Sequence, residues 1–210
     1  MLWGDAMKPN YIDKMLVDKI KNGDIVIIEY PSTFPIHEFL WGELVMTLID
    51  DFDIVIDDFF GLGDVLFRTY LRRVPPKMYS EIVEKIMGKV KAIKIGPGKI
   101  SYTGFIEEIP LTYDLSEFIK LYYPGIREIL TKASKRVIFI TVGLAEYLYF
   151  GGDEALKTLL LSRSILPIED WTSVYLLNTN LAPEKSIAAL EEISPLVVYL
   201  SKKGTLVKKE

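Results

Sequence analysis

Three features of the sequence predict an α/β domain whose mainly parallel sheet lies between two layers of helices. Short apolar runs alternate with longer amphipathic stretches along all 210 residues. The apolar runs lack the in-and-out polarity of a half-exposed strand, so both of their faces are expected to be buried. Strands that alternate with helices join into parallel sheets through right-handed crossovers. Half of the residues are hydrophobic, enough for one large core, and no linker or internal repeat divides the chain. Residues 1–210 therefore read as one domain.

The first expected element is a helix on which Ile12, Met15, Leu16 and Ile20 recur at helical spacing before Asn22-Gly23 stops it. Strands follow at Ile25–Tyr30, Ile54–Asp57, Ala92–Ile95, Val137–Val142, Val174–Leu177 and Leu196–Leu200. Helices fill the intervals at Ile36–Asp50, Gly63–Arg73, Tyr79–Gly88, Leu115–Tyr122, Glu154–Ser162 and Pro183–Ile193. Lys99 to Pro110 breaks this rhythm, because Ile100, Tyr102, Gly104 and Ile106 alternate, and it predicts an antiparallel strand or hairpin at one edge.

Composition narrows the function classes. The 25 basic and 29 acidic residues leave a net charge of −4, so a general attraction to nucleic-acid phosphates is not expected. There is no cysteine and a single histidine, His37, which removes disulfides, thiolate chemistry and multi-histidine metal centres; no metal or cofactor is predicted. The start of the chain, with Asp5 and Lys8, does not read as a signal peptide, and the longest apolar run, Val137 to Ala145, is about half of a membrane span. A cytoplasmic protein is expected. The absence of glutamine, only four asparagines and many lysines and glutamates point to a hyperthermophilic source.

In an open α/β sheet, ligands bind beyond the carboxyl ends of the strands. After Ile25–Tyr30 comes Pro31-Ser32-Thr33-Phe34-Pro35, where a phosphate loop of the form GxxxxGK[ST] would stand. That loop needs glycine-permitted N–H groups and a lysine, and this segment has neither. The run Val137–Val142 ends in Thr141-Val142-Gly143 without the aspartate that would orient magnesium. The adjacent carboxylates Asp57 and Asp58 could orient a water or hold a cation, or could cap the next helix. Asn178-Thr179-Asn180 closes another strand and offers amides to a ligand, or simply forms a turn. Lys85, Lys89, Lys91, Lys94 and Lys99 form a basic patch, read as a solvated face or an anion site.

The order of elements, with a helix before Gly23-Asp24-Ile25-Val26-Ile27-Ile28, resembles the KaiC and RecA-like ATPases of the P-loop superfamily. More closely, it resembles an uncharacterised family from Pyrococcus and Thermococcus placed in that superfamily without the phosphate loop. The resemblance implies a RecA-like three-layer α/β/α sandwich with Ile25–Tyr30 central, flanked by Val174–Leu177 and Leu196–Leu200. In KaiC-like proteins catalytic glutamates follow the second strand, and Asp57 and Asp58 stand at that position, each one methylene shorter. RecA-like relatives assemble into rings and filaments, which makes a second copy of the chain a candidate partner.

Phe34, Phe59, Phe60, Tyr147 and Trp171 lie in or beside the expected carboxyl-end loops, as extra core or as an apolar contact surface. The reading that follows is a non-catalytic RecA-like module that takes no nucleotide and binds a protein or peptide, or itself. Its contact residues are Ser32, Thr33, Phe34, Phe59, Phe60 and Asn178. The alternative is an atypical nucleotide-binding protein or ATPase that uses Asp57 and Asp58 without a phosphate loop.

Overall fold

A computed structural model of the chain describes residues 20–210; the helix expected around Ile12 to Ile20 lies almost wholly outside them. The eight strands are β1 Ile25–Tyr30, β2 Asp53–Phe59, β3 Val90–Ile95, β4 Ile106–Ile109, β5 Val137–Val142, β6 Trp171–Asn178, β7 Leu196–Ser201 and β8 Gly204–Lys209. They form one sheet in the order β4-β3-β2-β5-β6-β1-β7-β8. Every pairing is parallel except β7 with β8. The predicted α/β/α sandwich is present, and β1 sits between β6 and β7 as the resemblance implied.

Side chains alternate across each strand, so every buried strand feeds two cores. Val26 and Ile28 of β1, Ile54 and Ile56 of β2, and Ile138 and Ile140 of β5 face one core. The helices on that side are α1, running as Ile36–Glu38, a π segment Phe39–Leu44 and Val45–Leu48, then α2 Leu62–Leu71 and α3 Pro76–Lys89. Ile25 and Ile27, Val55, and Val137 and Phe139 face the other core. It is covered by α4 Leu115–Thr131, α5 Leu144–Ile165 and α6 Glu184–Ile193.

Three expectations are corrected. The stretch Lys99 to Pro110 is not antiparallel: only Ile106–Ile109 is a strand, and it pairs parallel to β3. The chain leaves β3 at its carboxyl end and must return to the amino end before β4 begins. Thr103 marks the return by donating to the Val90 carbonyl at 2.5 Å, while Tyr102 is buried against Trp41 with ring centroids 4.7 Å apart. The antiparallel edge pair lies at the opposite side of the sheet, between β7 and β8. Second, the helix expected to stop at Tyr122 continues through Pro124 to Thr131, because Ile126 and Ile129 are fully buried beyond the proline. Packing of that face outweighs the hydrogen bond the proline removes. Third, α5 starts ten residues earlier than Glu154, at Leu144, and turns at Gly152, whose backbone is non-helical.

The edge strand β8 is fastened to the centre. Lys208 reaches Glu29 of β1 at 2.9 Å and also contacts Glu191 of α6. Burial pushes the Glu29 carboxyl above its usual range, opposed by the Lys208 ammonium.

At the carboxyl edge the loops press backbone to backbone. Gly98 has φ 118°, and a Cβ there would lie 2.5 Å from the Phe60 carbonyl oxygen. Gly98→Ala is expected to cost about 2 kcal/mol or more through strain and collision, read as a lowered Tm with the circular-dichroism spectrum retained. An unchanged Tm would show that the loops can separate freely.

Candidate functional site

The site expected beyond the carboxyl ends begins with the loop after β1. Ser32 and Thr33 are exposed, but the loop is closed on itself and on the loop after β6. The Ser32 amide donates to Asn180 Oδ1 at 2.8 Å, the Ser32 hydroxyl to Asn178 Oδ1 at 3.1 Å, and the Phe34 amide to the Pro31 carbonyl at 2.9 Å. Asn178 therefore braces the loop, and the Ser32 and Phe34 amides, which in a phosphate loop would face an anion, already have acceptors. Pro31 and Pro35 have none to give.

Asp57 and Asp58 do not form a pair. They are consecutive in β2, so they point to opposite faces of the sheet. Asp58 is fully buried and caps α2: its carboxylate accepts from the Gly63 amide at 2.8 Å, the Asp64 amide at 3.2 Å and the Tyr102 hydroxyl at 3.1 Å. A Cβ on Gly63 would sit 2.7 Å from Asp58 Oδ2, so glycine is what lets the carboxylate approach. Burial raises the Asp58 carboxyl to about 6 despite these donors. Of the two sequence readings, the helix cap describes Asp58.

Asp57 faces the other core. Its Oδ2 accepts from the Tyr122 hydroxyl of α4 at 2.6 Å and, more weakly, from Thr141 of β5 at 3.4 Å, while Oδ1 is buried without a protein partner. Burial raises this carboxyl to about 7, opposed by the two hydroxyl donors. Thr141, at the position expected for a magnesium-orienting aspartate, is itself buried and engaged with Asp57. Among the described residues, no group of three or more potential ligands is placed to hold a metal ion.

The aromatic residues divide sharply. Phe34 and Phe59 are 4% and 3% exposed and belong to the core, and Tyr147 packs on Phe59 at 4.7 Å. Trp171 is also buried and opens β6, so it lies at the amino end of the sheet and not at the carboxyl end where the sequence placed it. Phe60 alone of this set stays partly exposed, and its backbone is left-handed at φ 63°, a strained conformation for a bulky residue. It is joined by two residues that sequence reasoning missed. Phe150 stacks edge-on to Phe60 at 5.8 Å and to Tyr149 at 5.4 Å, and these two are 66% and 58% exposed. The signal that could have found them is Gly151-Gly152, which ends the first part of α5 immediately afterwards. A Cβ on Gly151 would collide with the Tyr113 ring at 2.3 Å, so the turn is locked in place beneath the two rings.

The basic patch is largely neutralised: Lys85 and Lys89 both bind Asp50 at 2.7 Å, and Lys94 binds Glu108 at 2.9 Å. His37 is mostly buried, with its ordinary value lowered by burial and by Arg73.

Residues 15–209 match the family described as Pyrococcus protein of unknown function, DUF257. The chain belongs to that family. No curated protein matches this DUF257 chain. Among solved structures it is similar to PH0250 of Pyrococcus horikoshii OT3, with a TM-score of 0.73 at 17% identity over 94% of this chain and 91% of that one. It is also similar to PH0321 of Pyrococcus horikoshii, described as uncharacterised and in complex with an unknown peptide. That match has a TM-score of 0.66 at 12% identity, covering 93% and 88% of the two chains. The KaiC-like protein PH0186 of Pyrococcus horikoshii OT3 follows with a TM-score of 0.53 at 14% identity over 90% and 80%. At such identities these likenesses concern the fold, and they agree with a RecA/KaiC-like architecture. Among the described residues no helix is long and apolar enough to cross a membrane.

Asp57 and Asp58 give the family member a pH dependence of definite sign. Both carboxyls titrate higher in the folded chain, about 7 and about 6, than the ordinary value of 3.8. Their contribution to stability is complete below about pH 4 and is lost as pH rises through 6 and 7. Asp57→Asn is neutral throughout and keeps an acceptor for Tyr122. It is expected to melt above the wild type at pH 8, by on the order of 2 kcal/mol, and close to it at pH 4. The slope that remains belongs to Asp58. A variant less stable than wild type at pH 8 would contradict this assignment.

Proposed function

We propose that this chain is a non-catalytic RecA-like module that binds a protein or peptide at the carboxyl ends of its strands. The observation that carries the reading is the exposed aromatic ledge of Phe60, Tyr149 and Phe150 at the edge where RecA-like enzymes hold nucleotide. Large aromatic rings exposed to water are good anchors for a protein partner, because they offer much apolar area on few rotatable bonds. The first loop supports the same reading. It has no glycine and no lysine, and its Ser32 and Phe34 amides are already bonded. The peptide described in the structure of PH0321 is consistent with peptide binding on this fold. Contact residues are Phe60, Tyr149 and Phe150, with the exposed Ser32 and Thr33 and the bracing Asn178 on the adjoining loops. Phe59 packs on Phe60 from the core with ring centroids 6.5 Å apart, whereas Phe34 is buried in the core across the sheet. A second copy of the chain remains a partner of the same chemical kind.

Two measurements test the reading. Mg-ATP and Mg-GTP, titrated calorimetrically at moderate salt and high temperature, are expected to show no binding tighter than about millimolar. Micromolar affinity would favour a nucleotide-binding protein instead. Peptides selected from a random display library against the wild type are expected to lose roughly tenfold or more in affinity for the Tyr149→Ser, Phe150→Ser double variant. The Tm of that variant should stay within a few degrees of wild type, since both rings are exposed. Sedimentation of the same pair checks self-association. Equal affinity and equal mass in a stable variant would remove the ledge from the function.

A further inference from the structure

The second core contains a small cavity of about 40 Å³ beneath α4 and α5, lined by Asp57, Tyr122, Thr141, Arg163, Ser173 and Tyr175 among apolar side chains. Asp57 is buried, and its Oδ1 has no protein partner. Arg163 lines the same space and lacks a carboxylate partner among the ion pairs of the described residues. Its guanidinium donates to Ser173 Oγ at 2.9 Å, to the Gly23 carbonyl at 3.2 Å and to the Tyr175 hydroxyl at 3.4 Å. One cavity therefore holds a buried carboxylate and a guanidinium that do not touch.

We propose that this cavity is a proton-linked hydration site, in which internal water bridges Asp57 Oδ1 to the Tyr175 hydroxyl and the Arg163 guanidinium when the carboxyl is ionised.

Size and charge select water. A water needs about 10 to 15 Å³ of such space and two or more polar partners, so the cavity admits at least one and excludes an organic ligand. A metal or ammonium ion beside Asp57 would set two positive charges against one carboxylate in a site of low dielectric, whereas water leaves the Asp57–Arg163 pair neutral. Tyr175 is suited to relay, since its oxygen accepts from Arg163 and its own proton is free to be donated into the cavity. The titratable groups lining the space are Asp57 from β2, Tyr122 from α4, Arg163 from α5 and Tyr175 from β6; Asp58, next in sequence, lies across the sheet. When Asp57 takes up a proton its attraction to Arg163 disappears, and the bridge reduces to ordinary neutral hydrogen bonds. When it loses the proton, β2, β6 and α5 are joined through one charged relay.

The test follows the Asp57 carboxyl carbon by nuclear magnetic resonance from about pH 4 to 10, assigned by its absence in Asp57→Asn. Wild type is expected to titrate near neutrality. Arg163→Met should move the midpoint up by about one pH unit or more, because the cation that lines the cavity among the described residues is gone. Tyr175→Phe, which keeps the ring, should move it upward by less, and it serves if Arg163→Met does not fold. An unchanged midpoint in whichever variant folds would overturn the proposal. A high-resolution crystal structure at alkaline pH should show water within hydrogen-bond distance of Asp57 Oδ1. A dry cavity there would overturn it equally.

Discussion

The alternation of side chains across a doubly buried strand governs both the core and the candidate site. Because successive residues of β2 face opposite helical layers, Ile54 and Ile56 pack under α1 to α3 while Val55 packs under α4 and α5. The same rule separates Asp57 from Asp58. One becomes a helix cap and the other a buried acid beside a cavity, and neither can assist the other in binding an ion or activating water.

Much of this was legible in the sequence, and the exceptions share a cause. The six apolar strands were placed by their continuous hydrophobicity, and the resemblance to RecA-like proteins placed β1 between β6 and β7. Strand β8 was missed because Gly204 to Lys209 is almost wholly exposed and carries no burial signal; it holds by backbone pairing and by Lys208 reaching Glu29. The parallel direction of β4 was missed because alternation reports which side chains are buried and says nothing of chain direction. Tyr149 and Phe150 were missed because the helix was expected to begin at Glu154, which left them in the unassigned stretch after β5, whereas the helix starts at Leu144. The opposite facing of Asp57 and Asp58 was implied by their adjacency in a strand, yet was masked by the positional match to paired catalytic residues.

The candidate surface and the internal site sit on opposite ends of one helix. The first part of α5 presents Tyr149 and Phe150 to solvent, and its last turns carry Arg163 inward to β6. Gly152 separates them with a non-helical backbone. Phe59 lies between the two, lining the cavity and packing on Phe60 with ring centroids 6.5 Å apart.

The position of β1 has a consequence for how the chain is made. This strand leaves the ribosome well before its two neighbours, Trp171–Asn178 and Leu196–Ser201. An apolar segment destined for the middle of the sheet must wait for the intervening residues 31–170 to be synthesised before it can be paired on either side. Closing such distant contacts is slow, and an unpaired hydrophobic strand invites association with other nascent chains. Pro31 immediately after the strand and the charged Glu29 within it make it a poorer template for such pairing in the interval. The central place of β1 thus sets a requirement on biosynthesis as well as on the finished fold.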